Sequence, residues 1–207
     1  MCSQMLLFLA TAYGLAVAQS DYPIQSAPFN LVLSSTVNST LNGIKLAGCH
    51  AGALVEALCI DQPSVSTPEF QTFYFNTSTT PPLDPNTLVS GLLTRREPGN
   101  PAYSESMALL NNPASNLAFP MIWPSNEMRS FIAFTTEDLL AVPASVNDAI
   151  TPPGPYRTGT TFWNNRWQIC QTYFQGYSYV ALQWTLGDRE PQNPSCQAVT
   201  VKRVFVE

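Results

Sequence analysis

WQICQTYFQGYSYVALQWTL, from Trp167 to Leu186, is the stretch on which the fold class turns. Two arms rich in aromatic and β-branched residues, Trp167 to Phe174 and Tyr177 to Leu186, flank Gln175-Gly176. Glycine takes positive φ without steric cost, so this pair predicts a tight hairpin turn. In the second arm Val180, Leu182, Trp184 and Leu186 point one way while Tyr179, Ala181, Gln183 and Thr185 point the other, the two-residue period of a strand. Gly187 to Ser195 is a loop rich in Pro, Asn and Asp. Beyond it Val199, Val201, Arg203 and Phe205 alternate with Thr200, Lys202, Val204 and Val206. Three successive antiparallel strands are the simplest product.

Upstream the same reading repeats in shorter pieces. Phe29, Leu31 and Leu33 alternate with Asn30, Val32 and Ser34, and Ile44 to Ala47, Gln71 to Phe75, Ser104 to Leu110, Leu117 to Trp123 and Met128 to Phe134 are further predicted strands. Pro120 and Pro124 confine Leu117 to Trp123 to an edge or a bulge. Cys49 to Ile60 fits either a short helix or a hairpin through His50 to Gly52. Thr87 to Leu93 is a short strand or helical turn ended by Thr94, after which Arg95-Arg96 opens a polar run to Asn100. Thr136 to Leu140 starts a helical turn that Pro143 stops, and Thr151 to Tyr156 is a rigid connector. Short strands between proline and glycine turns, with no sustained helical period, predict an all-β fold. The expected architecture is an antiparallel β-sandwich or flattened barrel, stapled by disulfides, with at most short helices.

The apolar fraction of 45% supports a folded core, while charged residues are only 11% of the chain. Ser, Thr, Asn, Gln and Pro must therefore cover much of the surface. A net charge of −5 with two lysines supplies no basic stripe for a phosphate backbone, so nucleic acid is not an expected partner, nor is an anionic membrane surface.

Met5 to Ala18 form an uncharged apolar run, and Ala16-Val17-Ala18 place small residues where a signal peptidase cuts. Residues 1–18 read as a signal peptide and 19–207 as a single secreted β-rich domain. The run falls short of the roughly 18 to 25 residues of a membrane span, so the mature chain is not expected to insert. Its expected location is extracellular or in the cell wall. Cys49, Cys59, Cys170 and Cys196 remain after cleavage and permit three pairings. Sequence proximity favours Cys49 to Cys59 and Cys170 to Cys196, with the crossed pairings open. Asn38-Ser39-Thr40 and Asn76-Thr77-Ser78 are glycosylation acceptors, while proline blocks Asn193-Pro194-Ser195.

Chemistry is sparse. His50 is the only histidine and no G-x-S-x-G elbow accompanies it, which leaves no Ser-His-Asp site and no transition-metal site to expect. No metal or cofactor is expected. Glycoside hydrolysis needs only two carboxylates, and Glu56, Glu69, Asp138, Asp188 and Glu190 are available. Carbohydrate binding needs exposed rings with amide and hydroxyl groups beside them. Trp163, Tyr173, Tyr177 and Tyr179 are the candidate rings, with Asn164, Asn165 and Gln183 as polar neighbours, and Trp167 and Trp184 assigned to the core. A protein partner would use the same aromatic surface.

Five segments carry a family likeness: FNLVL at Phe29 to Leu33, LNGIKLAGCHAGALVEALC at Leu41 to Cys59, FYFN at Phe73 to Asn76, WQIC at Trp167 to Cys170, and PQNPSCQAVTVKRVF at Pro191 to Phe205. With them the chain resembles a family of small secreted proteins of filamentous fungi whose domain is of unknown function. The resemblance covers nearly all of the mature chain and implies an exported or cell-wall-associated fungal protein, with no catalytic residue to transfer. Ala51 stands where the family pattern leads one to expect an acidic residue, which removes support from a role for the His50 segment. The reading from sequence is a secreted, non-enzymatic protein binding a cell-wall or host glycan or an extracellular protein. A glycoside hydrolase with paired carboxylates and a structural or cell-wall-associated protein are its alternatives.

Overall fold

The computed structural model describes residues 21–60, 67–80, 88–97, 103–124, 128–144 and 162–206, the side chains of 97, 103, 162 and 163 excepted. The leader at 1–18 and the connector at 151–156 lie outside the described residues. The first half of the strands comprises β1 (Ile24–Gln25), β2 (Phe29–Ser34), β3 (Leu46–Gly52), β4 (Val55–Ile60), β5 (Tyr74–Thr77), β6 (Gly91–Glu97) and β7 (Tyr103–Asn111). The second half comprises β8 (Leu117–Trp123), β9 (Phe131–Phe134), β10 (Leu140–Ala144), β11 (Phe162–Asn164), β12 (Trp167–Phe174), β13 (Tyr177–Thr185) and β14 (Gln197–Phe205). Two short 3-10 turns, Ser39–Leu41 and Pro68–Gln71, are the only helical elements among the described residues. The described residues are mostly antiparallel β-sheet, as the two-residue periodicity predicts.

The strands form one sheet in the order β11-β10-β9-β6-β7-β8-β4-β13-β12-β14-β2, with β3 added to β4 and β5 joining β1 to β6. β8 also pairs directly with β13. Reciprocal backbone bonds between Phe29 and Phe73, 3.0 and 2.9 Å long, bring β2 against the lead into β5. The pairings therefore run round a ring interrupted at that two-bond bridge, and the sheet is not closed.

Its inner face carries the main core: Phe29, Leu31 and Leu33 of β2, Leu46 and Leu58, Leu93 and Met107, Ile132 and Phe134, Trp167 and Trp184. Trp167 and Trp184 pack edge to face with ring centroids 4.8 Å apart, and the buried Trp167 indole N–H donates to the Leu140 carbonyl at 2.8 Å. Each such large apolar side chain stabilises the fold by roughly 2 to 3 kcal/mol. A second, smaller cluster of Ala57, Cys59, Phe119, Met121, Tyr179 and Ala181 occupies the opposite face. The registers Cys59 to Ala181 and Ala57 to Met121 place these residues side by side. β4, β8 and β13 are thus buried on both faces, which explains why so little of β8 is polar.

The structure departs from three local expectations. β8 is an interior strand, flanked by β7 on one side and by β13 and β4 on the other. Pro120 is tolerated because it lies between Ala118, registered with β13, and Met121, registered with β4, where the strand changes partner. β6 does not stop before the basic pair but continues through Arg95 and Arg96, held by pairing with Glu105 and Ser104 of β7. Thr136 to Leu140 forms a turn with Asp138 at φ 64°, not a helical start, and the chain resumes as β10 through Pro143. β14 pairs with β12 and not with β13, because the other edge of β13 is taken by β4 and β8. Cys49–Ile60 resolves as a hairpin.

Disulfides join Cys49 to Cys59 and Cys170 to Cys196. The first staples β3 to β4. The second ties β12 to the residue just ahead of β14, across the loop that carries the chain over.

Candidate functional site

Two hairpin tips meet at one end of the sheet. The β3–β4 turn passes through Leu54 at φ 59°, and the β12–β13 turn through Gln175 at φ 46° and Gly176 at φ 93°. Holding non-glycine residues in the left-handed region costs about 1 kcal/mol each, so neighbouring contacts must fix both tips. They do: the Tyr179 hydroxyl donates to the His50 carbonyl at 2.9 Å, and the Gln175 amide lies so close over Gly52 that a Cβ there would come within 2.9 Å of Oε1. The Tyr177 ring meets His50 edge to face at 5.9 Å, and its centroid lies 6.3 Å from that of the tilted Tyr179 ring. Leu54 is 65% exposed and Tyr177 51% exposed, so this end presents an aromatic and apolar surface beside an imidazole and an amide.

The predicted rings do not form one platform. Tyr177 and Tyr179 share a face, but Tyr179 is only 8% exposed, and burial pushes its phenol pKa up, with Tyr177 adding to the rise. Tyr173, 71% exposed, pairs with Ser178 and so points to the opposite side of the hairpin from Tyr177. The Trp163 side chain lies outside the described residues. Asn164 is half-buried, Asn165 exposed, and Gln183 buried in the outer face.

On the inner face next to His50 lies an ion cluster. Glu56, registered with His50, and Glu105 of β7 both meet Arg95 Nη2, at 2.5 and 3.4 Å, and the Phe70 ring of the second 3-10 turn covers the guanidinium at 5.1 Å. The Arg95 and Glu105 side chains are 1% and 2% exposed, while Glu56 keeps 15%. Gly48 is required here, because a Cβ on it would collide with the Glu56 carboxylate. Burial raises the Glu56 carboxyl against the opposing pull of Arg95 and, less strongly, of His50. Burial likewise pushes Glu105 up to about 7, opposed by Arg95 and reinforced by the Glu56 charge. Glu56 is one of the carboxylates that the sequence offers; Arg95 and Glu105 are not singled out by residue type. The available signal was alternation, since Arg95 falls in line with Leu93, and Glu105 in line with Met107. A guanidinium held between the two carboxylates occupies the space that a glycosidic bond would need.

The remaining carboxylates are dispersed. Asp138 pairs with Arg203 at 2.6 Å, and Glu69, Asp188 and Glu190 are exposed. No group of three or more His, Cys, Asp or Glu able to hold a metal occurs among the described residues. No helix among them is long and apolar enough to cross a membrane. The two glycosylation triplets differ sharply. Asn76 is 4% exposed, its Nδ2 donating to the Tyr22 carbonyl at 3.2 Å and its Oδ1 accepting from Thr94 Oγ1 at 2.8 Å and Gln25 Nε2 at 3.3 Å. Asn38 is half-buried, at the rim of an open groove of about 510 Å³ whose walls include Gln168, Glu190, Pro191 and Gln197.

No curated protein and no solved structure matches the chain. A family model described as a domain of unknown function (DUF7907) matches residues 26–205, a span that takes in every strand from β2 to β14, and the chain belongs to that family.

Proposed function

We propose that this protein is exported and acts outside the cell as a non-enzymatic binding protein, taking a glycan on the surface formed by Tyr177, His50 and Gln175. The single observation that carries this reading is the half-exposed Tyr177 ring, held edge-on to His50 where two hairpin tips meet. A pyranose lays its apolar face on such a ring, and the neighbouring imidazole and amide meet its hydroxyls. The uncharged run from Met5 to Ala18 and the two disulfides support export. The hydrolase alternative loses its best carboxylate pair to Arg95.

The test is titration with cell-wall polysaccharides and their oligosaccharides, followed by calorimetry. Tyr177→Ala is expected to weaken binding about tenfold, since a ring contact contributes on the order of 1 kcal/mol or somewhat more. Tyr173→Ala, on the opposite side, is expected to leave it unchanged. Absence of binding to every polysaccharide, or equal loss from both variants, would overturn the reading.

A further inference from the structure

The two Asn-x-Ser/Thr triplets occupy opposite environments, and neither is explained by the hairpin-tip surface. The Asn76 amide is built into the junction of β1, β5 and β6, where three residues bond it. Replacing one of its Nδ2 hydrogens by a sugar would push a saccharide into space filled by Tyr22, Gln25 and Thr94. A chain modified there before folding could not assemble that junction.

Asn38 is arranged differently. Its Oδ1 accepts from Thr40 N–H at 3.0 Å and Thr40 Oγ1 at 2.7 Å, which fixes the amide plane, and its Nδ2 donates to Gln197 Oε1 at 2.6 Å. Nδ2 carries two hydrogens, so the bond to Gln197 uses one and the other is available for substitution. The adjacent groove is lined by Gln168, Glu190 and Pro191, two polar residues beside an apolar ring. Such walls suit the hydroxyl and acetamido groups of an N-acetylhexosamine.

We propose that Asn38 carries this chain's N-linked glycan, with the first sugar seated in the groove beside Gln168 and Glu190, and that Asn76 stays unmodified. The proposal rests on the export in the preceding reading. In the transfer, Nδ2 forms a bond to the anomeric carbon of a lipid-diphosphate-linked oligosaccharide. The C–O bond to the diphosphate breaks, the diphosphate leaves with that electron pair, and Nδ2 gives one proton to a base of the transferase. The proton that remains keeps the bond to Gln197.

The full chain is expressed in a eukaryotic secretory host, with a parallel arm in which a heterologous cleavable leader precedes it. Failure of the unaided chain to leave the cell would sink the export reading. The leader-driven arm decides the glycan. Its intact mass is expected to rise by one N-glycan, lost in Thr40→Ala, kept in Thr40→Ser and unaffected by Ser78→Ala. Peptide mapping after glycan release is expected to mark Asn38 alone. An endoglycosidase that cuts between the first two sugars is expected to act about tenfold more slowly on native than on denatured protein, a protection of about 1.4 kcal/mol. Gln168→Ala should remove that protection. A glycan on Asn76 in folded, secreted protein, or none on Asn38, overturns the assignment; equal cutting rates overturn the seat.

Discussion

Glu105→Gln isolates the energetics of the buried ion cluster. Glu105 is 2% exposed, and its carboxyl is pushed from 4.5 up to about 7 by burial. Below pH 4.5 the group is protonated in folded and unfolded chains alike and has no effect on their balance. Above it the unfolded chain ionises while the folded one holds its proton, so stability falls as pH rises, until the folded group ionises near pH 7. The penalty accumulated by then is at most about 3 kcal/mol. Glutamine has the shape of the protonated acid, retains an oxygen that can accept from Arg95, and does not titrate. Urea unfolding from pH 4.5 to 7.5 is therefore expected to show wild type and Glu105→Gln alike at the acid end. At pH 7.5 the variant should be more stable by up to about 3 kcal/mol. Burial raises Glu56 in the same direction, so Glu105→Gln retains a shallower slope that the double variant with Glu56→Gln should flatten. Equal slopes in wild type and Glu105→Gln would refute the reasoning. So would a loss of more than about 2 kcal/mol at pH 4.5.

Arg95→Met, which keeps the packing on Phe70 but removes the cation between Glu56 and Glu105, should destabilise by about 3 to 5 kcal/mol at pH 7 and by less at pH 5, measured by the same unfolding. Replacing Cys170 and Cys196 together by serine should cost about 3.5 kcal/mol in thermal or chemical unfolding. The Ser195 Oγ and Asn193 Nδ2 bonds to the Gln171 backbone should keep the loop in place in the folded form. Trp167→Phe removes an indole bond to the Leu140 carbonyl and part of a buried ring, and should cost about 2 to 3 kcal/mol without loss of the fold by circular dichroism.

Strands whose two faces differ were legible from their residues alone. Phe29–Ser34 was located to the residue, and the hairpin turn at Gln175-Gly176 follows from its glycine, with Phe174 registered to Tyr177. The ion cluster was legible only in part: alternation puts Arg95 in line with Leu93, but Arg95 belongs in a core only because Glu105 of the next strand and Glu56 and Phe70 from earlier segments reach it. Without those partners the adjacent Arg95-Arg96 pair reads as a solvated turn. Strand order was hidden likewise, since nothing in Val199 to Val206 states whether β12 or β13 receives it. At the hairpin tips, Tyr177 was singled out from its residue type, but its pairing with His50, 127 positions earlier in the chain, depends on the β3–β4 hairpin lying against the β12–β13 turn.

The register of β14 against β2, from Thr200 with Ser34 to Phe205 with Phe29, sets a timetable for assembly. Phe29, Leu31 and Leu33 are synthesised first, yet their ladder partner emerges some 170 positions later. Until then β2 presents one greasy, unpaired edge. Closing so long a loop before any reward arrives makes folding slow and leaves that edge open to wrong partners in the interval.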